Sequence, residues 1–128
     1  MPVNFLNAVL VVSDDAPRLA DWYRHVLGLP LRDEEHEGGG SPHFGCTVHG
    51  LHVAIHPTAN YAFAPEPGRG GVRIAFDVTD IDEFVAGLPA EGIDWVFEPV
   101  DLGWSRMLAI RDPDGNMVEV LQMTPHRR

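Results

Sequence analysis

The sequence predicts an α+β fold built from two copies of one module, each reading strand, helix, then several strands. Three observations predict it. An apolar run of strand length near the start returns sixty-six residues later, Leu10 falling on Phe76. A helix-type pattern follows each copy. A stretch with three prolines, residues 57–70, separates the halves. At 128 residues the chain has the length of a single domain. The two modules run from about 1–58 and 70–125 within one domain spanning 1–128.

Residues 5–12, FLNAVLVV, form the first strand, followed by Ser13, Asp14 and Asp15. Pro17 then opens a segment in which Leu19, Tyr23, Val26 and Leu27 recur at helical spacing, and Gly28 closes it. The second copy begins with GVRIAFDV over residues 71–78. Thr79 and Asp80 provide a cap, Ile81, Phe84, Val85 and Leu88 a short helical face, and Pro89 a stop. Residues 48–55 lie over 113–120, so both His49-Gly50 and Asp114-Gly115 are hairpin candidates, and Asp-Gly is the stronger signal.

Alternation places Leu6, Ala8, Leu10 and Val12, and likewise Val72, Ile74, Phe76 and Val78, under the helices. Leu51, Val53, Ile55, Val118 and Val120 join them. The opposite face then carries Asn7, Val9 and Val11, then His52, Ala54 and His56, then Arg73, Ala75 and Asp77, and finally Met117, Glu119 and Leu121. That set is too mixed for a dry core and too apolar for plain solvent, which is the pattern of a cleft wall.

Composition removes several functions. All nine basic residues are arginine, which excludes Schiff-base lysine chemistry and a lysine-bearing phosphate loop. Nineteen acidic residues give a net charge of −10, so nucleic acid is not expected as a partner and a cationic ligand is favoured. Cys46, the one cysteine, excludes an internal disulfide framework and reads as packing rather than nucleophile. The N-terminus lacks the cationic start of a signal peptide, and no apolar run approaches the roughly 20 residues of a membrane span. A cytoplasmic protein with no membrane partner is expected. Gly38, Gly39 and Gly40 follow the acidic run of residues 33–37 and read as a loop, not a phosphate cradle.

Three ordered stretches resemble the vicinal oxygen chelate superfamily, which includes glyoxalase I, extradiol dioxygenases, fosfomycin resistance enzymes and bleomycin resistance proteins. They are FLNAVLVVSDDAPRLADWYRHVLGLP (5–30), GGVRIAFDVTDID (70–82) and RMLAIRDPDGNMVEVLQ (106–122), the last being the most specific. The resemblance implies tandem βαβββ modules forming a curved mixed sheet around a cleft, with helices on the convex face, usually completed in a homodimer.

In the metal-using members, four inward side chains bind a divalent cation, one from the first and one from the last strand of each module. Those positions fall on Asn7, Ala54, Arg73 and Glu119. Only Glu119 is a carboxylate. Ala54 stands where Glu is usual, and Arg73, a permanent donor that cannot bind a metal, stands where His is usual. The expectation is therefore no metal and no cofactor, with Arg73 supplying the missing positive charge beside Glu119. His52 and His56 share a face but their backbones are about 13 Å apart, too far to chelate one ion. His43 and His49 read as surface histidines in or near turns.

Among the aromatic residues, Trp22, Trp95 and Phe97 read as core or dimer interface, whereas Trp104 and Phe63 fit a cleft wall and a packed side chain equally well. The expected ligand-binding set is Asn7, His52, His56, Phe63, Arg73, Asp77, Trp104 and Glu119. The expected function is metal-free binding of a small molecule, aromatic or cationic, that sequesters an antibiotic or other natural product in a homodimer. The alternative is a glyoxalase- or dioxygenase-like lyase or isomerase acting in the same cleft, with Glu119 the candidate catalytic residue. A carboxylate paired with a guanidinium is a weak base, which favours the binder.

Overall fold

The computed structural model describes residues 6, 8–34, 42–60 and 74–123. They form two compact units, residues 1–67 and 68–128. In the first, β1 (Ala8–Ser13), α1 (Ala16–His25), β2 (Arg32–Glu34), β3 (His43–Val48) and β4 (Leu51–Pro57) follow in chain order, and a 3₁₀ turn covers Thr58–Asn60. In the second, β5 (Ile74–Asp77), α2 (Ile81–Ala86), β6 (Asp94–Asp101), β7 (Ser105–Arg111) and β8 (Met117–Met123) repeat the order. The sheets are ordered β1-β4-β3-β2 and β5-β8-β7-β6, each with one parallel pair, β1 with β4 and β5 with β8. Each unit is thus a βαβββ module of the α+β class.

Asp15 caps α1 by accepting from the Arg18 amide at 3.2 Å, and Gly28 ends the turn that follows at φ +72°. Ala16, Leu19, Ala20 and Tyr23 recur at helical spacing and are buried, and the helix packs on β1, β3 and β4. Val53 and Ile55 receive it from the sheet. Each such side chain contributes about 1.5–3 kcal/mol of burial. In the second unit Asp80 caps α2 through the Asp82 and Glu83 amides, and the Ile81 amide donates to Gln122 Oε1 of β8 at 2.9 Å. Ile81, Leu108, Ile110, Val118 and Val120 form that core.

The first strand departs from the alternation reading. β1 pairs in register with β4 so that Leu10 lies beside Ala54 and Val9 and Val11 lie beside Val53 and Ile55. Leu10 is therefore on the face of His52 and His56 and is 50% exposed, and Leu6 is 70% exposed. Both alternating sets of β1 are apolar, so polarity cannot choose between them and the pairing decides. In the second copy Ile74 and Phe76 pair with buried Val118 and Val120, as alternation predicts.

The two turn candidates exchange roles. His49 (φ 49°) and Gly50 (φ 84°) form the two-residue hairpin between β3 and β4, both left-handed as a type I′ turn requires. Asp114 and Gly115 sit in a longer loop organised by buried Asp112. Its Oδ1 accepts from the amides of Asp114 and Asn116, each at 2.9 Å, and its Oδ2 from Asn116 Nδ2 at 2.8 Å. Asp112→Ala is expected to lower the unfolding free energy by about 2–4 kcal/mol in a urea titration with unchanged m value. A loss below about 1 kcal/mol would mean that backbone pairing alone holds this loop.

Candidate functional site

On the first sheet, Glu34 pairs across from His43, Gly45 lies beside Ala54, and Thr47 beside His52, so these side chains share one face. Glu34 reaches inward over the sheet. Its Oε1 lies 3.2 Å from His43 Nε2 and 3.3 Å from His52 Nε2. That oxygen is buried and has no hydrogen-bond partner, so both approaches are close contacts without a directed hydrogen bond. Gly45 makes the reach feasible: a Cβ there would collide with the Glu34 carboxylate and lie 3.0 Å from His52 Cε1.

His43 is 2% exposed and belongs to β3, which corrects the reading of it as a surface turn residue. Its ring stacks on His56 with centroids 4.0 Å apart and planes 11° from parallel. His56 Nδ1 in turn lies 3.2 Å from Asn60 Nδ2. His52 and His56 thus engage different partners on one strand. Beside Glu34 a pocket of about 320 Å³ is lined by Arg32, Glu34, Gly45, Thr47 and His52, with Cys46 also contributing. Burial, and then the charge of Glu34, push the Cys46 thiol above its ordinary range, so it stays protonated.

On the second sheet, Glu119 is half-buried between Ala75 of β5 and Ala109 of β7. A register shift in β6 sets Trp95 against Ile110 but Phe97 against Ala109. Residues two apart, which a regular strand would keep on one face, are thereby separated, and Phe97 joins the row of Ala109 and Glu119. Asp77 lies beside Leu121, exposed. Trp104 is 43% exposed on the turn between β6 and β7, where Gly103 (φ 85°) donates to Asp101 Oδ1 at 2.8 Å and the Leu102 amide donates to the Ser105 carbonyl. Asn7, Phe63 and Arg73 lie outside the described residues.

The sequence reading left Glu34 within an acidic run, took His43 for a surface histidine and took Phe97 for core or dimer interface, and assigned none of them to the site. Glu34 sits at the head of an acidic run that looks like a solvated charge cluster, and only its three-residue pairing with β3 turns it inward. The bulge that redirects Phe97 leaves no mark in the alternation.

The donor set does not fit the metal that the superfamily's metal-using members hold. Of the two carried-over positions among the described residues, Glu119 is a carboxylate and Ala54, 1% exposed between Leu10 and Gly45, has no donor atom. No group of three or more His, Cys, Asp or Glu side chains among the described residues is arranged to hold a metal ion.

The Glyoxalase/Bleomycin resistance protein/Dioxygenase superfamily profile matches residues 5–120, and the chain belongs to that superfamily. A lactoylglutathione lyase of Arabidopsis thaliana is 28% identical over 127 residues, covering 94% of this chain and 44% of that protein. The chain therefore spans less than half the length of that relative. Among solved structures, TnmS3, an antibiotic binding protein from Streptomyces sp. CB03234, superposes with a TM-score of 0.74 at 21% identity over 97% of this chain and 99% of that one. A superfamily member from Sphaerobacter thermophilus gives 0.75 at 20% identity over 95% and 99%. TioX from Micromonospora sp. ML1 gives 0.68 at 24% identity over 94% and 100%. These likenesses are of fold. Among the described residues, no helix is long and apolar enough to cross a membrane.

Gly45→Ala is expected to expel Glu34 from its place against His43 and His52. The colliding atoms end a flexible side chain, so the fold should persist with a stability loss below about 2 kcal/mol. Ring resonances of both histidines should shift while far-ultraviolet circular dichroism stays unchanged; unmoved resonances would contradict the packing. Because the Cys46 pKa is raised, its thiolate fraction at neutral pH is depleted. Alkylation by iodoacetamide should therefore be slower than that of a free cysteine and rise with pH, and Glu34→Gln should accelerate it modestly.

Proposed function

We propose that this chain is a metal-free small-molecule-binding protein that sequesters an antibiotic or a similar natural product, working in the cytoplasm as a homodimer. The observation that carries the reading is Ala54, a packed methyl group where a metal-using relative needs a carboxylate. With that donor gone, the faces that remain suit binding more than Lewis-acid chemistry. Glu119 between two alanines, with Phe97 in the same row, offers a charged group in an apolar frame. Exposed Trp104 adds a stacking surface, and the net charge of −10 favours planar cations. TnmS3, described as antibiotic binding, supports the reading by its fold.

The ligand-binding set assigned from sequence stays part of the proposal, with Arg73 as the cation that replaces metal charge. A second reading, a lyase or isomerase with Glu119 as base, is favoured by the similarity to a lactoylglutathione lyase.

Purified protein dialysed against chelator and then offered nickel, zinc or manganese should take up far less than one equivalent. Titration with planar cationic antibiotics should quench tryptophan fluorescence saturably, and Trp104→Ala should weaken that binding about tenfold. Tight stoichiometric metal uptake would overturn the binder reading. A Glu119→Ala variant that still binds ligand but loses turnover would favour the enzyme.

A further inference from the structure

We propose a second small-molecule site, on the helix-bearing side of the second unit, that takes an arylalkyl ammonium ion: one apolar ring joined by a short chain to a positive charge. Trp95, which walls it, pairs with Ile110, the neighbour of Ala109 in β7. Glu119 pairs with Ala109, so the two sites occupy opposite faces of the sheet. The proposal goes beyond the binder reading and does not rest on it.

The first unit shows how the equivalent space is filled. There α1 runs for ten residues, a left-handed glycine, Gly28, follows three residues after its end, and Leu29 and Leu31 beyond that glycine are 8% and 5% exposed. In the second unit α2 runs for six residues, and the left-handed glycine, Gly92, comes six residues after its end. Gly87 caps the helix, and Pro89, which has no amide hydrogen, cannot prolong it. Counted from the glycine, Leu29 and Leu31 correspond to Ile93 and Trp95, and both of these are only half-buried. The four residues by which α2 falls short of α1 amount to about 6 Å of helix. What stands in their place is a pocket of about 300 Å³, walled by Val85, Leu88, Ile93 and Trp95, with Ala90 and Glu91 also contributing. That volume suits one ring and a short chain.

The charge of the occupant follows from the surroundings. Among the described residues, the Glu91 carboxylate has no hydrogen bond or ion pair. Residues 80–98 hold six acidic side chains and no arginine, lysine or histidine. Asp82 is compensated from outside the segment by Arg106, at 3.0 Å, but nothing basic stands in the last turn of α2, the end of a helix that favours a cation. The face of the Trp95 indole attracts a positive charge as well. A neutral ring would gain the apolar walls alone, and an anion would meet Glu91.

The probe is 2-phenylethylammonium, with 2-phenylethanol and phenylacetate as its neutral and anionic counterparts. Titrated into nitrogen-labelled protein, the amine should shift the Gly92 amide and the Trp95 indole resonance saturably, the latter identified by its loss in Trp95→Phe, while the Trp104 indole stays in place. The dissociation constant should be on the order of 1 mM, the alcohol should bind at least about fivefold more weakly, and phenylacetate should not bind. Glu91→Gln should erase the preference for amine over alcohol. Ala90→Trp, at an exposed loop position, should fill the pocket and abolish binding with unchanged far-ultraviolet circular dichroism. Any of four results would overturn the proposal: no saturable shift, shifts centred on Trp104, equal affinity for amine and alcohol, or a preference or binding that survives these two substitutions. Metal uptake and the antibiotic titration read at Trp104 are separate measurements, so a failure here leaves the binder reading standing.

Discussion

A single missing side chain organises the first unit's polar face. Gly45 lies in the middle of β3, flanked by Ala54 on β4 and Arg32 on β2. The space above it is where the Glu34 carboxylate comes to rest, within 3.3 Å of two imidazole nitrogens. Any larger residue would push that carboxylate outward, leaving His43 buried without its acidic neighbour and His52 unoriented. The same negative charge adds to burial in raising the Cys46 thiol above its ordinary range.

The two modules share an architecture but have diverged in what they present. At the corresponding position of the last strand, one has Ala54, between Leu10 and Gly45, and the other Glu119, between Ala75 and Ala109. In the second unit the carboxylate belongs to the last strand and stands in an alanine frame. In the first, the last strand is blank and the carboxylate arrives from the short β2. A superfamily whose metal-using members draw ligands from equivalent strands of each module has here placed its acidic groups at non-equivalent ones.

Much of the fold was legible because the punctuation is local. Asp15, Pro17 and Gly28 bound α1, Asp80 caps α2, and an apolar run of strand length at the head of each half marks the repeat, although the register sets Leu10 beside Ala54 and Phe76 beside Val120. The site was less legible. Of the residues assigned to it, His52, Glu119 and Trp104 are placed on a polar face or an exposed turn, while Asn7, Phe63 and Arg73 lie outside the described residues. Glu34 was hidden in a charge run, and His43 looked like a turn residue because the three-residue β2 has too little length to show a period.

By itself the chain determined its module repeat, where its helices start and its superfamily, since each depends on residue identity at a known spacing; the second helix stops at Ala86, before the Leu88 and Pro89 that its pattern suggested. Tertiary structure alone decided which face of β1 turns to the helix, which way Phe97 points and what Glu34 touches. Those outcomes depend on strand register and on a bulge, and a shift of one residue reverses every side chain without changing a letter of the sequence.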